Sequence, residues 1–489
     1  MELLRRILII PRMLKRKALQ GKTSRAFFDG RKYEMNDTIC ALASGAVEAG
    51  IGIIRVSGDD AVRNVSRIFK SKNGKSIDIS ETHRVKYGYI YDHDTMLDEV
   101  LVITMLSPRS YTGEDTVEID CHGGIYVMKR ILELVEHSGC RLAEPGEFTK
   151  RAFLNGRIDL SEAEAVSDLI TAENETAVKS SVEQLKGSLS EKLKEMRATI
   201  LEDDAHIEAA LDDPEHIELD GFSDELACHV KYIIDELDRF IDSYHDGRIV
   251  KDGINTVIVG KPNAGKSSFL NALLDEDRAI VTNIAGTTRD ILKERVNIQG
   301  ITFNLYDTAG IHETSDEVEN IGIKRAIDAV EKADLILYLV DGSKTLDDAD
   351  REIMAQIHGK TVICIYNKAD LQSIADINLL KDTFKYFIEV SALHREGMDA
   401  FYQCVSSMFY QQKLKSDHGL MITNLRQKEH LEQARNYLRN VLISIENGVS
   451  EDFYTVDLMG AYTELGYILG ENVSDDLINE IFSKFCMGK

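Results

Sequence analysis

Gly260-Lys261-Pro262-Asn263-Ala264-Gly265-Lys266-Ser267-Ser268 fits the phosphate-loop pattern G-x-x-x-x-G-K-[ST]. A triphosphate concentrates negative charge, so its binder needs close backbone N–H donors, a cationic side chain and a metal ligand. Gly260 and Gly265 let the backbone bend around the phosphates, Lys266 reaches the terminal ones, and the Ser267 hydroxyl can sit on Mg²⁺ at a helix N-terminus. The flanks agree: Thr256–Val259 reads as a buried strand, and Ser268–Leu274 as a helix.

Outward from this loop, apolar runs at Ile301–Leu305, Leu335–Val340, Thr361–Tyr366 and Tyr386–Val390 alternate with helical stretches. That alternation predicts a doubly wound sheet with ligands at the carboxyl ends of its strands. Three short motifs fall at those ends. Asp307-Thr308-Ala309-Gly310 can hold Mg²⁺ through water and sense a γ-phosphate. In Asn367-Lys368-Ala369-Asp370 a carboxylate can accept from both the ring N–H and the exocyclic amine of guanine, a pair that adenine cannot supply. Ser391-Ala392-Leu393 offers a backbone contact to the guanine oxygen. Each tetrapeptide alone is weak evidence, but the ordered set points to GTP rather than ATP, because unpaired buried polar groups reject an analogue by roughly 10⁴ or more. Ile284-Ala285-Gly286-Thr287-Thr288-Arg289-Asp290 occupies the first switch, with Thr288 as the second protein ligand of Mg²⁺, and Thr282 and Asn283 just before it are counted with the GTP-binding residues. Position 311 is Ile, where small GTPases place a water-orienting Gln, so water must be activated by another route. Either an arginine finger or a monovalent cation beside the phosphates could meet the charge of the transition state, and Asn263 is placed to ligate such a cation.

The chain has 489 residues, 43% hydrophobic and 29% charged, enough for two to four domains with cores of their own. Its seven cysteines are scattered and lack C-x-x-C spacing, which suggests neither a disulfide framework nor a zinc site and fits a reducing compartment. The net charge of −25 opposes a simple electrostatic grip on nucleic acid. Residues 1–34 run against it with ten Lys/Arg; without them 48 basic and 80 acidic residues remain, or −32. This basic segment is read as an upstream extension of the reading frame, being poor in Ser and followed by a well-patterned domain from Met35. An organelle transit peptide is the alternative, which would make the location mitochondrial rather than cytoplasmic.

From Met35 to about residue 155, runs at Thr38–Ala43, Gly50–Val56, Val100–Thr104 and Thr116–Ile119, with a helical Val127–Val135, predict an α+β domain. Two polar clusters lie in this part of the chain: Tyr111-Thr112-Gly113-Glu114-Asp115 with Glu118, Cys121 and His122, and Glu144 to Arg151, Asn155 and Arg157. Taken alone, each reads as turn chemistry and surface charge. Residues 160–247 and 431–485 instead repeat apolar positions at helical spacing, broken at Asp212-Asp213-Pro214. Helices on both sides of an α/β unit predict one bundle into which that unit is inserted.

The set Gly-x-Pro-Asn-x-Gly-Lys-Ser, Gly-Thr-Thr-Arg-Asp and Asp-Thr-Ala-Gly-Ile resembles the translation-factor-related GTPases with a hydrophobic residue in place of the Gln. The stretches Tyr111–Gly124 and Pro145–Arg157, the bracketing helices and the terminal Phe485-Cys486-Met487-Gly488-Lys489 narrow the resemblance to the MnmE (TrmE) family of tRNA-modification GTPases, from Met35 to Lys489. It implies a basic extension (1–34), a tetrahydrofolate-binding and dimerisation domain (35–155), a helical domain in two parts (156–252 and 414–489), and an inserted GTPase domain (253–413). It further implies a homodimer whose GTPase domains meet across potassium. Asn263, Thr282, Ile284 and Thr287 would hold K⁺, and Ser267 and Thr288 Mg²⁺. Glu319 would orient the attacking water through a second water, although its position reads by itself as a helix-start carboxylate. Lys266, Glu319 and Cys486 are the implied catalytic residues; by composition Cys486 reads as a small buried hydrophobe. Arg55, Glu118 and Arg157, with Lys489 from the C-terminus, would contact 5-formyl-tetrahydrofolate. The implied partner is the flavoprotein MnmG, which carries FAD and joins the chain in a heterotetramer. Together they would modify C5 of a tRNA wobble uridine. Three departures from the family pattern stand out: the Ser44–Gly50 loop is less Gly/Pro-rich, His312 stands where Arg is frequent, and Arg157 where Lys is common. Two rival readings are a ribosome-associated assembly switch and a dimerising module whose GTPase times partner docking.

Overall fold

The computed structural model describes residues 37–72, 77, 82–216, 221–274, 293–298, 301–307, 330–413, 420–486 and 488. It divides into two compact units, one of residues 1–167, 184–230 and 436–489, the other of residues 168–183 and 231–435.

The first unit opens with a seven-stranded sheet of order β3-β4-β5-β6-β2-β1-β7. Its strands are β1 (Ile39–Leu42), β2 (Ile51–Ser57), β3 (Phe69–Ser71), β4 (Arg84–Asp92), β5 (Thr95–Met105), β6 (Thr116–His122) and β7 (Arg141–Leu142). All neighbours are antiparallel except β1 and β7. Period-2 alternation sends Ile54, Val56, Val100, Val102, Val117 and Ile119 to one face. There they meet α1 (Ala61–Ile68) and α2 (Ile125–His137) through Val65, Met128, Ile131 and Val135. The predicted runs at 38–43, 50–56, 100–104 and 116–119 fall within or against these strands.

Helix α3 (Glu147–Leu154) follows, then α4 (Leu160–Thr171), α5 (Glu175–Leu185), α6 (Ser188–Asp212) and α7 (Phe222–Asp252). Helix α6 stops at Asp212, ahead of the Asp-Pro pair that breaks the stripe. Of the apolar positions predicted along it, Leu189, Leu193, Met196, Ile200 and Ile207 are buried, while Leu211, in its last turn, is exposed. Arg197 on α6 forks onto Glu471 with two 2.6 Å bonds and stacks on Tyr462, 4.0 Å from the ring centroid. Phe482 and Phe485 pack with Phe153 and Leu160, which docks the C-terminal segment in this unit.

The second unit holds a six-stranded sheet of order β13-β12-β11-β8-β10-β9: β8 (Ile254–Val259), β9 (Lys293–Ile298), β10 (Ile301–Asp307), β11 (Leu335–Asp341), β12 (Val362–Asn367) and β13 (Tyr386–Glu389). All pairings are parallel except that of the edge strand β9 with β10. β11 and β12 are buried throughout. Leu335, Leu337 and Leu339 enter one core, while Ile336, Tyr338 and Val340 enter another. Burial on both faces is why these strands read as unbroken apolar runs. Helices α8 (Lys266–Leu274), α9 (Asp348–Gln356), α10 (Ile377–Thr383) and α11 (Met398–Lys413) alternate with the strands, as predicted. Helices α12 (Leu425–Glu446), α13 (Asp452–Leu469) and α14 (Asp475–Ser483) complete the chain.

Candidate functional site

Strand β8 delivers the chain into the phosphate loop at Gly260, whose φ is +153°, and the loop passes through left-handed Asn263 (φ +63°) and Gly265 (φ +95°) before α8 begins at Lys266. A Cβ on Gly260 would overlap the Leu339 carbonyl oxygen, and one on Gly265 the Asn367 amide nitrogen. Sterics as well as φ therefore select glycine at both. Lys266 Nζ donates to the carbonyls of Gly260 at 2.8 Å and Lys261 at 3.0 Å, arching its ammonium over the loop. Asn263, Ser267 and Ser268 are exposed, and Ala264 is buried.

The Asn367–Asp370 loop lies beside it. Asn367, 2% exposed, donates from Nδ2 to Ala264 O at 2.8 Å and accepts the Ala392 N–H on Oδ1 at 3.0 Å. One amide thus straps all three predicted segments together. The Ser391 hydroxyl donates to Asp370 Oδ1 at 2.6 Å, and this bond is the main reason the Asp370 carboxyl lies below the usual range. An ionised carboxylate has acceptor positions left for two further donors. Ala369 N–H bonds to Val390 O at 3.1 Å, holding the loop on the strand after it, while Leu393 stays largely exposed. Lys368 adopts φ +64° and its ammonium pairs with Asp341. The sequence reading missed Asp341, the Ser391 hydroxyl and His394, whose Nε2 lies 3.8 Å from Asp370. Only the fold brings these groups together.

Strand register sets Asp307, at the end of β10, opposite Ile258 of β8. Thr282, Asn283, Ile284, Ala285, Gly286, Thr287, Thr288, Thr308, Ala309, Gly310, Glu319 and Lys489 lie outside the described residues.

A second group of predicted residues gathers in the first unit. Arg55 on β2 and Glu118 on β6 stand directly opposite in register and join at 2.7 Å. Arg55 also donates to Gly488 O at 3.3 Å and lies 5.6 Å and 5.7 Å from the ring centroids of Tyr111 and Phe148. Arg157, exposed, sits 4.9 Å from the Tyr111 centroid and donates to Tyr111 O at 3.0 Å. Arg55 and Arg157, far apart in sequence, therefore meet around Tyr111, with Glu118 held on Arg55 and the C-terminal tail beside them. The arrangement combines an exposed cation, a carboxylate acceptor and an aromatic ring. Cys486 is exposed, contrary to its reading as a buried hydrophobe, because Gly146 N–H holds its carbonyl at 3.3 Å while Phe485 takes the buried place. Tyr111 and Phe148 were not singled out from sequence as ligand contacts; aromatic residues in turn-rich stretches carry no signal of what they will face.

Family profiles match most of the chain. The one described as GTP-binding protein TrmE N-terminus matches residues 38–157, and the one described as MnmE helical domain matches residues 160–486. Three relatives, each called tRNA modification GTPase MnmE, are similar over nearly their whole lengths. The protein from Lachnoclostridium phytofermentans is 50% identical over 457 residues, covering 93% of this chain and 99% of its own. The one from Thermoanaerobacter pseudethanolicus is 46% identical over 457 residues, with the same coverage. That from Clostridioides difficile is 45% identical over 464 residues, covering 93% of this chain and all of its own.

Proposed function

Because the chain belongs to the tRNA modification GTPase MnmE family, we propose that this GTP-hydrolysing enzyme takes part, with the flavoprotein MnmG, in adding an aminomethyl or carboxymethylaminomethyl group to C5 of the wobble uridine of certain tRNAs. The one-carbon unit would come from a tetrahydrofolate. The observation that carries the folate part is the meeting of Arg55 and Arg157 around Tyr111, with Glu118 and Gly488 O both held on Arg55. A folate presents an aminopyrimidine ring and an anionic glutamate tail. Glu118, steadied by Arg55, suits the first, and the exposed Arg157 suits the second. Cys486, exposed two residues before Gly488, lies on the tail that would border the ligand.

In the GTPase part, Asp370 reads guanine, Lys266 faces the phosphates, and Asn367 keeps the two loops in register. Ser267 and Thr288 would hold Mg²⁺, and Asn263, Thr282, Ile284 and Thr287 would hold K⁺. The exposed hydroxyl of Ser267 at a helix N-terminus and the exposed amide of Asn263 beside the loop fit hard cations in chemistry. When bound, these ions offset the charge that develops on the phosphates. Glu319 would orient the attacking water, since Ile311 cannot.

The folate-binding part would run from 35 to 155 and make a homodimer. The GTPase part (253–413) would be inserted between helical segments 156–252 and 414–489. The place of action would be the cytoplasm, or the mitochondrion if residues 1–34 are a transit peptide. Among the described residues no helix is long and apolar enough to cross a membrane.

The deciding measurement is GTP hydrolysis by the full chain in potassium against sodium at fixed ionic strength. The expected result is a large potassium-specific acceleration, lost in Asn263→Ala and much reduced in Glu319→Ala. Equal, slow rates in both salts would remove the cation mechanism and favour a switch activated by its partner.

A further inference from the structure

The connection from β11 to α9 is tied at both ends to the nucleotide-binding loops. At one end Asp341, 5% exposed, accepts from Lys368 Nζ at 2.7 Å and from the N–H and hydroxyl of Ser343 at 3.1 and 2.6 Å. Lys344 Nζ is 3.8 Å away on the exposed side. At the other end Asp347 and Asp350, the two residues of the capping box of α9, hold Lys261 Nζ at 2.8 and 2.6 Å. Lys261 is the second residue of the phosphate loop, and Lys368 the second of the base-recognition tetrapeptide. Lys368 stands at φ +64°, which side chains other than glycine, asparagine and aspartate seldom adopt, so something must hold it there. The register agrees: Asp341 pairs with Asn367, and Gly342 N–H donates to Asn367 O at 2.9 Å.

We propose that Asp341 is a positioning residue for guanine recognition: it pins Lys368 in the turn that aims Asp370, and its connection to α9 sets the spacing between base-recognition and phosphate loops through Lys261. The proposal rests on the guanine reading of the site. Asp341 need not touch the nucleotide. Removing its charge leaves the Lys368 ammonium without its partner and free to leave the turn.

The test is titration of the full chain with guanosine diphosphate and inosine diphosphate, which lacks the exocyclic amine that Asp370 would read. Asp341→Asn should weaken the guanosine ligand at least about tenfold and the inosine ligand much less, narrowing the preference between them. Ser343→Ala, which keeps the Lys368 pair, should narrow it in the same direction by a smaller factor, and it serves if Asp341→Asn does not fold. Lys261→Met should weaken both ligands together, with Lys261→Arg restoring them. An unchanged preference in Asp341→Asn, or in Ser343→Ala where that stands in for it, would reduce the Asp341–Lys368 pair to a structural one whatever happened to the melting temperature. Unchanged affinity in Lys261→Met would remove the spacing role. Equal binding of the two ligands by the unaltered chain would overturn the guanine reading itself.

Discussion

Arg151 on α3 has no exposed surface, yet it touches three carboxylates: Asp37 at 2.8 Å, Glu147 at 3.0 Å and Glu114 at 3.2 Å. Arg141 shares two of them, reaching Glu147 at 2.6 Å and Asp37 at 2.7 Å. The Arg151→Met chain should lose about 3–5 kcal/mol of stability, because a buried Glu147 is left short of a partner; chemical denaturation measures this. Burial by itself would raise the Glu147 carboxyl, but the Arg141 bonds, the Glu144 N–H and Arg151 outweigh it and hold it below its usual value. Burial would likewise raise Asp37, but its bonds to Arg141 and Arg151 together outweigh that and lower it. Groups lowered in the folded state stabilise it above the unfolded carboxylate range of about 4, and that contribution is lost as pH falls through their folded values. Melting temperatures followed from pH 6 to pH 3 should therefore drop, and less steeply in Glu147→Gln. In the sequence, Tyr111–Glu118 and Glu144–Arg157 looked like two charged turns. Their partnership could not be read there, since Glu114 and Arg151 are joined only by folding.

Among the elements, the C-terminal tail and the phosphate loop carry the sharpest tests. Gly488 has φ +84°, and a Cβ there would overlap Leu42 O at the end of β1. Gly488→Ala should lift the tail and its contact with Arg55, weakening folate binding by about tenfold or more while leaving GTP hydrolysis by the chain unchanged. Equilibrium binding of 5-formyl-tetrahydrofolate checks this. Gly265→Ala meets both a positive φ and the Asn367 amide, so guanine-nucleotide binding should fall below detection in a calorimetric titration. Elements buried on both faces, such as β11 and β12, were legible because their burial demands continuous apolar residues. The edge strand β9, Lys293-Glu294-Arg295-Val296-Asn297-Ile298, was not. It alternates charged or polar residues with only two apolar ones, and it is held by backbone pairing to β10. β4 escaped notice as well, its Val85 and Tyr87 lying exposed on the far face of the sheet.

For the whole molecule, division into two units predicts two separable responses. Scanning calorimetry of the full chain should resolve two transitions. Guanosine diphosphate at 100 times its Kd should stabilise one by about 2.7 kcal/mol, and a folate at the same ratio the other. A single transition moved equally by both ligands would contradict this. With a net charge of −25, the chain alone should bind tRNA weakly and with a shallow salt dependence. Tight binding with a steep salt slope would sink that expectation.

The order and kind of the nucleotide motifs, the alternation that builds a parallel sheet and the helices on either side were determined by sequence alone. Each depends on neighbours along the chain: periodicity, glycine where φ turns positive, a hydroxyl after a lysine. Tertiary structure decided which polar groups became partners. Asn367 acts as a strap, Asp341 holds Lys368, Arg151 gathers three carboxylates, and Tyr111 stands between two arginines. Apart from Arg151 and Glu147, one helical turn from each other, these contacts join residues 25 or more positions apart, and no local propensity encodes which distant residue a charge or ring will meet.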